Sequence, residues 1–492
     1  MTQDAPSRPL ARAPRGFQDR RAGAVLAERR ILDAVSRVYE SFGFEALDTG
    51  ALEFADALGK FLPDADRPNE GVFALRDEDD GEWMALRYDL TAPLARFAAE
   101  HWESLPKPYR RYAYGPVWRN EKPGPGHGRQ FIQCDADTVG SARPEADAEI
   151  IAMALEGYGA AGLPAGACVM KINNRKLLDG LLTVAGVSDA GQKLSVLRAV
   201  DKLDRLGPDG TRALLGRGRR DESGAFTRGS ELETAGIDAV MAFVEAGRAT
   251  RSQTLERLSQ VIGGSSVGDE GLGELERIGA SLSSLGVAEE QALFDPSVVR
   301  GLEYYTGAVF EAQLTGEGLD RASEALRYGS IGGGGRYDDL VARFTGERTP
   351  ATGFSFGVSR LAGVLAATSG AAPTSVRGPV VVLALDAGLS GEYFALAAEL
   401  RAAGLAAEVY LGASGMRAQM KYADRRLSPA AVIVGSDEIA QGLVTIKDLD
   451  LGRQLAGAVS DNRAWREDRP GQISVPRAQM VAQVRRIVEA AS

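Results

Sequence analysis

Cysteine is scarce in this chain, and its scarcity argues against stabilisation by disulfides or by a structural zinc site. The 492 residues contain two cysteines, Cys134 and Cys168, which are too few for a disulfide framework and form no Cys-x-x-Cys pair of the zinc-binding kind. No apolar run approaches the ~18 residues of a membrane-spanning helix. The first 17 residues carry Arg8, Arg12 and Arg15 but no apolar segment of the kind that a secretory signal requires. These absences favour a cytoplasmic protein without a membrane span.

An excess of basic charge is also missing. The formal net charge is −10 at pH 7, which argues against a surface that is basic throughout, as nucleic-acid-binding domains often are. A single local basic track is nevertheless sufficient for a large protein to bind nucleic acid. Lysine plus arginine and aspartate plus glutamate both number 13 between Gly378 and Ser492, so the acidic excess lies upstream of that segment.

Hydrophobic spacing predicts helices and strands in alternation. Apolar residues between 24 and 42 recur every three or four positions, as on one face of an amphipathic helix. A second helix is predicted to begin at Asp89-Leu90-Thr91, where either polar side chain can cap it. The predicted strands lie at 44–52 and 83–87, and at 111–118 and 130–139, which form a hairpin. From 177 to 285, leucines recur at helical spacing among charged residues, which predicts a mostly helical insertion.

Composition shifts predict the domain boundaries. Residues 366–377 are rich in alanine, glycine, serine, threonine and proline, which is typical of a linker. Strand-like and helix-like segments alternate after it and predict a small α/β domain with a largely parallel sheet. The predicted parts are one domain at 1–176 and 291–368, its helical insertion at 177–290, a linker at 369–378 and an α/β domain at 379–492.

An arginine and a glutamate, Arg119 and Glu121, follow the first strand of the predicted hairpin. Arg119 and Glu121 are two positions apart at the strand's end, so both point the same way. Such a pair can hold a nucleotide, with the arginine on a phosphate, although alone it is more typical of a surface ion pair. Arg129 and Phe131 follow across a loop rich in glycine and proline, and Phe131 can stack on adenine. The segment predicts a nucleotide site beside a mobile loop.

Two pairs of polar residues predict a second subsite. Gln133 and Asp137 share one face of a strand that is otherwise suited to burial. Buried polar groups need partners, so a binding pocket explains them better than an inert core. Asp89 and Thr91 offer a carboxylate and a hydroxyl on one face, a pattern that is equally typical of helix capping.

Tyrosines and arginines mark the segments after the insertion. Arg300-Gly301-Leu302-Glu303-Tyr304-Tyr305 places its tyrosines on opposite faces of a predicted strand, so one can enter a pocket while the other packs beneath it. Alone, the two tyrosines are typical of core aromatics. The glycine-rich Gly332–Asp338 segment and Gly353–Leu361 follow, with Arg360 opening a predicted helix.

Together these segments resemble the histidyl-tRNA synthetase family of class II aminoacyl-tRNA synthetases. The likeness extends from Pro14 to about Val488, and the Arg300–Tyr305 segment is its most specific part. It implies an α+β catalytic domain, an antiparallel sheet flanked by helices, with a helical insertion and a C-terminal α/β anticodon-binding domain. The implied activity is adenylation of histidine with ATP and Mg²⁺, then transfer of histidine to the 3′ end of tRNA-His by a cytoplasmic homodimer.

The resemblance also implies a role for each motif residue. Histidine would be held by Asp89, Leu90, Thr91, Arg119, Gln133, Asp137, Arg300, Tyr304, Tyr305 and Tyr337. ATP would be held by Arg119, Glu121, Arg129, Phe131, Arg300 and Arg360. The implied catalytic residues are Arg300, Arg119 and Arg360, because catalysis here is alignment and neutralisation of charge on the phosphates. No side chain is expected as a dedicated metal ligand.

Several positions depart from the family's pattern. Gly50 stands where the proline of motif 1 is usual, and Ser359 replaces the usual acidic residue before the motif 3 arginine. Asp89 and Asp137 are one methylene shorter than the glutamates of many bacterial members. His127 lies where an arginine is common in the motif 2 loop. Our hypothesis is that this loop reads the acceptor end of the tRNA without needing the extra 5′ guanosine typical of tRNA-His.

A non-catalytic paralogue is the alternative from another functional class. Such proteins partner ATP phosphoribosyltransferase in histidine biosynthesis, and they typically lack the C-terminal domain and have eroded ATP-binding arginines. This chain retains Arg119, Arg300 and Arg360 and continues well past the linker. The sequence therefore favours the synthetase.

Overall fold

The chain forms two compact units, residues 1–372 and 373–492. The structure is a computed structural model. It describes residues 10–58, 71–78, 81–123, 128–187, 189–220, 224–262, 264–299, 305–319, 323, 326, 329–368, 377–456 and 471–490.

The N-terminal unit is built on a mixed sheet with helices against it. Its described strands are β1 (Glu45–Ala46), β2 (Leu52–Phe54), β3 (Ala74–Arg76), β4 (Trp83–Leu86), β5 (Tyr109–Trp118), β6 (Gln130–Val139), β7 (Cys168–Asn174), β8 (Gly218–Arg220), β9 (Phe226–Arg228), β10 (Ala292–Phe294), β11 (Ala308–Leu314), β12 (Ser330–Arg336) and β13 (Ala351–Phe356). Its described helices are α1 (Ala22–Ser41), α2 (Thr91–His101), α3 (Pro144–Ala160), α4 (Arg175–Val184), α5 (Ala190–Val200), α6 (Leu203–Leu215), α7 (Thr234–Val244), α8 (Arg251–Ile262), α9 (Ser266–Ser284), α10 (Ala342–Thr345) and α11 (Val358–Thr368).

The main sheet has eight strands in the order β1-β5-β6-β13-β12-β11-β7-β10. Its inner pairs, from β5 to β7, are antiparallel, and only the two outermost pairs are parallel. The fold therefore matches the antiparallel sheet flanked by helices that the sequence predicted. Because side chains alternate along a strand, β6 presents its odd-numbered residues to one face and its even-numbered residues to the other.

The even-numbered face of β6 is covered by the first helix. The predicted amphipathic helix is confirmed as α1, and it buries Ile31, Val35 and Tyr39 against a core that includes Cys134 and Ala136. This packing leaves the odd-numbered face available for a site.

The strand predicted at 44–52 is wrong in its extent. The chain pairs at β1 and again at β2, but these two short strands belong to different sheets. Residues 47–51 between them, which include Asp48 and Gly50, are outside both strands. Aspartate and glycine favour turns, and their presence accounts for the break.

The helical segment after β7 shares the core of the sheet. Helices α4 to α9 and the small β8–β9 hairpin make up most of it, and Leu177 and Leu275 belong to the same apolar cluster as Phe310 of β11. Helices α4 and α9 approach closely at Gly180, where an added Cβ would lie 2.7 Å from the Cα of Gly268.

The C-terminal unit is a five-stranded sheet with helices. Its described strands are β14 (Val380–Val382), β15 (Ala407–Val409), β16 (Ala430–Ile433), β17 (Leu443–Asp448) and β18 (Gln472–Pro476), in the order β15-β14-β16-β17-β18. Its described helices are α12 (Ser390–Ala402), α13 (Met416–Arg425), α14 (Ser436–Gln441), α15 (Leu449–Ala456) and α16 (Met480–Ala490). The first three strands of that order are parallel, as predicted, whereas β17 and β18 pair antiparallel. Within the part of the chain that the structure describes, no helix is both long and apolar enough to cross a membrane.

Candidate active site

Three polar residues line the odd-numbered face of β6. Gln133, Asp135 and Asp137 are 8%, 1% and 2% exposed, so each is almost completely withdrawn from water. Strand β5 lies on one side, with Arg111 opposite Asp137, and β13 lies on the other, with Ser355 opposite Asp135. The predicted pocket at Gln133 and Asp137 therefore has a polar floor that spans three strands.

Arg111 is the charge that the sequence reasoning missed. It is fully buried, and its Nη2 lies 2.8 Å from Oδ2 of Asp137. The same nitrogen donates to the carbonyl of Leu90 at 2.9 Å, so one arginine joins the floor to the segment before α2. An arginine in a strand usually indicates an exposed position. The only signal that Arg111 points inward is that it shares a strand face with the apolar residue Ala113, two positions later, which is buried.

Asp137 is the centre of this cluster. Tyr337, which follows β12, donates a hydrogen bond from its hydroxyl to Oδ1 of Asp137. Burial raises the pKa of Asp137, while Arg111 and the Tyr337 hydroxyl act to lower it. Tyr305 is close by, and burial followed by the nearby Asp137 raises the pKa of its phenol. The structure thus brings together Asp137, Tyr305 and Tyr337, as the resemblance implied.

Glycines make room for these side chains. A Cβ at Gly353 would lie 1.8 Å from Oδ1 of Asp137, and one at Gly335 would lie 2.8 Å from the ring of Tyr305. Both positions are in strands, where glycine is unfavourable unless another group must approach the backbone closely. Here the close groups include the side chains of Asp137 and Tyr305, two residues of the predicted pocket.

Asp89 caps the helix that follows it. Its Oδ1 accepts hydrogen bonds from the backbone N–H groups of Thr91 at 3.1 Å and Ala92 at 2.9 Å. Burial raises the pKa of Asp89, and the Ala92 N–H and the nearby Arg119 oppose that rise. Capping and binding are thus compatible here, because one carboxylate oxygen holds the helix while the residue stays close to the cationic groups of the site.

A chain of hydrogen bonds runs along the floor. The amide Nε2 of Gln133 donates to Oγ of Ser355 at 2.8 Å, and that hydroxyl donates to Oδ1 of Asp135 at 2.7 Å. Burial raises the pKa of Asp135 to about 7, with the neighbouring Asp137 as the next cause. Ser355 and Asp135 were not predicted, although polar residues at 133, 135 and 137 are a visible signal in the sequence.

The predicted nucleotide residues cluster where the hairpin ends. The guanidinium carbon of Arg119 lies 5.1 Å from the ring centroid of Phe131, and its Nε donates to the carbonyl of Tyr88 at 3.2 Å. Arg129 donates from Nε to the backbone carbonyl of Glu121 at 3.0 Å. Arg119 is half-buried whereas Glu121 is exposed, and both follow the end of β5 at Trp118. Neither residue therefore lies in the strand on which the expected common orientation of Arg119 and Glu121 was based.

Arg360 lies in the first turn of α11, next to a serine that ties three elements together. Arg360 donates from Nη1 to the carbonyl of Ser330 at the start of β12. The Oγ of Ser359 accepts from the N–H of Ile132 at 3.0 Å and donates to Oε1 of Glu28 at 2.6 Å. Glu28 also forms an ion pair with Arg20. The departure at Ser359 thus has a structural role, because it links α1, β6 and α11.

Some predicted residues lie outside the described part of the chain. These are Arg300 and Tyr304 of the tyrosine segment and His127 of the loop after β5. Their roles stay predictions from the sequence. The described residues include Asp89, Leu90, Thr91, Gln133, Asp137, Tyr305 and Tyr337 around one floor, with Arg119, Phe131 and Arg129 at the hairpin end.

Comparison with known proteins identifies the family. A model of the histidyl-tRNA synthetase family matches residues 16–361, and one of the anticodon binding domain matches residues 379–466. The chain belongs to the histidyl-tRNA synthetase family. Among curated members, the histidine–tRNA ligase of Caulobacter vibrioides is 68% identical over 98% of this chain and 97% of its own length. That of Cereibacter sphaeroides is 53% identical over 98% of this chain and 99% of its own.

Solved structures show the family's fold. The histidyl-tRNA synthetase of Nostoc sp. PCC 7120 superimposes with a TM-score of 0.72 and 28% identity, covering 97% of this chain and 100% of that one. The apo enzyme of S. aureus gives a TM-score of 0.61 at 20% identity, covering 96% of this chain and 100% of that one, and supports the fold alone. The predicted catalytic and anticodon-binding fold is confirmed.

Proposed function

We propose how the residues of this site divide the work of a histidine–tRNA ligase. The activity itself comes from family membership: the chain is a ligase that uses ATP to join histidine to tRNA, and its curated relatives match it over nearly its whole length. The alternative of a regulatory paralogue is set aside, because relatives at 68% and 53% identity bear the name histidine–tRNA ligase. The observation that carries the division of roles is the buried polar floor on β6, in which cationic and anionic groups converge.

The histidine pocket is the buried end of that floor. In this proposal Asp137 and Tyr305 bind the two imidazole nitrogens, and Tyr337 holds Asp137 in place. The substrate's α-amino group binds to Asp89, Thr91 and Gln133. Support comes from the hydrogen bond between Tyr337 and Asp137 and from the burial of Asp137. A site that pairs both ring nitrogens rejects analogues that lack them, because its own polar groups would stay unpaired.

ATP occupies the hairpin end of the floor in this proposal. Adenine stacks on Phe131, Arg119 binds the α-phosphate and Arg360 binds the γ-phosphate, with Glu121 and Arg129 completing the nucleotide site. The position of the Arg119 guanidinium over the Phe131 ring supports the proposal that the adenine and phosphate subsites are neighbours. Arg300, outside the described residues, is proposed to contact the α-phosphate from the opposite side.

The adenylation step needs alignment more than proton transfer. A carboxylate oxygen of histidine forms a bond to the α-phosphorus while the bond to the β-phosphate oxygen breaks, and pyrophosphate leaves. The arginines neutralise charge that grows on the phosphate oxygens. Among the described residues, no group of three or more histidine, cysteine, aspartate or glutamate side chains is placed to hold a metal ion. We propose that Mg²⁺ enters with ATP as part of the substrate, bound mainly by phosphates and water.

The second substrate and the assembly complete the proposal. The C-terminal unit would bind the anticodon stem-loop of tRNA-His, which its match to anticodon-binding domains supports. A homodimer is proposed, and apolar side chains at Leu52 and Phe54 of β2, 42% and 52% exposed, offer it an uncovered surface. Cytoplasmic location agrees with two free, buried cysteines, Cys134 and Cys168. Independence from the extra 5′ guanosine remains a hypothesis that charging of tRNA transcripts with and without it would test.

The first experiment is amino-acid-dependent ATP–pyrophosphate exchange with purified protein, Mg²⁺ and each of the 20 amino acids in turn. We expect exchange with histidine and background rates with the other nineteen. Exchange with a different amino acid would refute the assignment of the pocket. Histidine binding by calorimetry without exchange would refute the arginine assignments and revive the regulatory alternative.

A further inference from the structure

The hydrogen bonds among Gln133, Ser355 and Asp135 all donate toward Asp135, and the Asp135 carboxylate fixes that direction. Asp135 is 1% exposed, and its Oδ1 accepts from the hydroxyl of Ser355. An ionised carboxylate has only acceptors, so the single hydroxyl hydrogen of Ser355 is committed to Asp135. The hydroxyl oxygen is then left to accept, and it accepts from the amide Nε2 of Gln133.

This order determines which atom of Gln133 remains available. The oxygen and nitrogen of a side-chain amide have nearly the same shape, and their hydrogen-bond partners decide its orientation. Because Ser355 can only accept, the NH₂ group of Gln133 must face it. The carbonyl Oε1 is left over, buried and without a hydrogen-bond partner among the described residues. A buried carbonyl oxygen without a partner is suited to a cationic donor and unsuited to an anion.

We propose that Asp135 and Ser355 are positioning residues that orient the Gln133 amide so that Oε1 accepts a hydrogen bond from the α-ammonium group of histidine. The inference rests on the proposed function, in which Gln133 contacts that group. Asp135 does not touch the substrate and acts through Ser355. With the amide reversed, an NH₂ group would face the ammonium group and the contact would be repulsive.

Asp135 has both cationic and anionic neighbours on the floor. The titratable and charged groups facing Asp135 are Arg87, Asp89, Arg111, Asp137 and Tyr305, with Tyr39 and Cys134 close to it below the sheet. Burial raises the pKa of Asp135 to about 7, so at pH 8 the ionised form that gives the hydrogen bonds their direction predominates.

Comparing the binding of two ligands distinguishes a loss of the Gln133 amide orientation from a general disturbance of the pocket. Histidine carries an ammonium group, which only donates, whereas imidazole lactate carries a hydroxyl at that position, which can donate or accept. We expect Asp135→Asn and Ser355→Ala each to raise the Kd of histidine about 10-fold, the scale of one hydrogen bond to a charged group. The Kd of imidazole lactate should change less than about 2-fold, because its hydroxyl suits either amide orientation. Calorimetry at pH 8 without ATP measures both constants.

Controls keep the test specific. Thr138→Val alters a buried residue of the same strand on the opposite face, and it should change neither Kd. The double variant should resemble either single variant, because both act through one chain of hydrogen bonds, and additive losses would overturn the proposal. Thermal unfolding verifies that each variant is folded.

The outcomes distinguish this inference from the proposed function. If histidine and imidazole lactate weaken equally, or if histidine binding is unchanged, the positioning role is refuted while wild-type exchange can still stand. If the wild-type protein neither binds histidine nor supports exchange, the assignment of the pocket fails first and the positioning role falls with it.

Discussion

Replacing Arg111 with methionine should cost the N-terminal unit about 3–5 kcal/mol of unfolding free energy, because it removes one partner of a buried ion pair. Arg111 is fully buried, and its Nη2 lies 2.8 Å from Oδ2 of Asp137. Methionine has a similar length and fills the space, so the change removes the charge with little loss of volume.

The magnitude follows from the separation of the charges. Two unit charges 2.8 Å apart attract by about 6 kcal/mol at an effective dielectric constant of about 20, before the cost of removing both from water. Without Arg111, the buried Asp137 carboxylate has no positive charge in contact. Protonation of the carboxylate at lower pH removes this unfavourable buried charge. The variant raises the folded-state pKa of Asp137 further, so its loss of stability should be larger at pH 8 than at pH 5.

Chemical denaturation followed by tryptophan fluorescence measures the effect. Three of the four tryptophans, Trp83, Trp102 and Trp118, lie in the N-terminal unit and report on it. The matched control is Arg110→Met, one position earlier and on the opposite face, where Arg110 pairs with Glu149 and the side chains are 29% and 34% exposed. That pair is accessible to water, so its loss should cost less than about 1 kcal/mol. Equal costs for the two variants at pH 8 would refute the reasoning.

Three further predictions address other parts of the site. Ser359→Ala removes two hydrogen bonds, one that links α11 to β6 and one that links α11 to α1. We expect the KM for ATP in the exchange assay to rise about 3- to 10-fold with the KM for histidine nearly unchanged; a selective effect on histidine would count against it. Burial raises the pKa of Asp135 to about 7, so ionisation of this carboxyl destabilises the folded state increasingly as the pH rises from about 4 to about 7. The unfolding free energy of Asp135→Asn in urea should therefore improve relative to that of the wild type by about 2–4 kcal/mol between pH 4.5 and pH 8; a constant difference would contradict this. Gly353→Ala would place its Cβ 1.8 Å from Oδ1 of Asp137 and should lower the unfolding free energy by about 1–3 kcal/mol. The Cβ of Gly333→Ala meets its nearest atom at 3.5 Å, so this control should be tolerated. Calorimetry compares the two melting temperatures, and equal shifts would argue against a steric cause.

Local patterns predicted the elements of the site better than its contacts. The β5–β6 hairpin, α1 and the α2 cap depend on residues that are close together in the sequence, and their positions were predicted within a few residues. Arg111 and Ser355 were missed because their roles depend on pairing between strands. The register of β13 on β6 brings Ser355 to Asp135, and more than two hundred residues separate them. No local periodicity encodes that register.

The missed strand break has a similar cause. Apolar spacing at 44–52 is compatible with one strand, but the two halves found different partners, β5 for β1 and β4 for β2. The choice between one long strand and two short ones was made by the neighbouring strands and by the turn-forming residues between the halves.

The strand order has a consequence for biosynthesis. Strand β6 pairs with β5 as soon as the hairpin is made, but its other neighbour, β13, ends at Phe356. At about 5–20 residues per second, a ribosome needs about 10–40 s to proceed from the end of β6 to the end of β13. Throughout that interval the nascent chain carries one edge of β6 without its β13 partner, next to Asp135 and Asp137. The newly synthesised protein thus passes through a period in which the floor of the proposed histidine pocket is an open sheet edge.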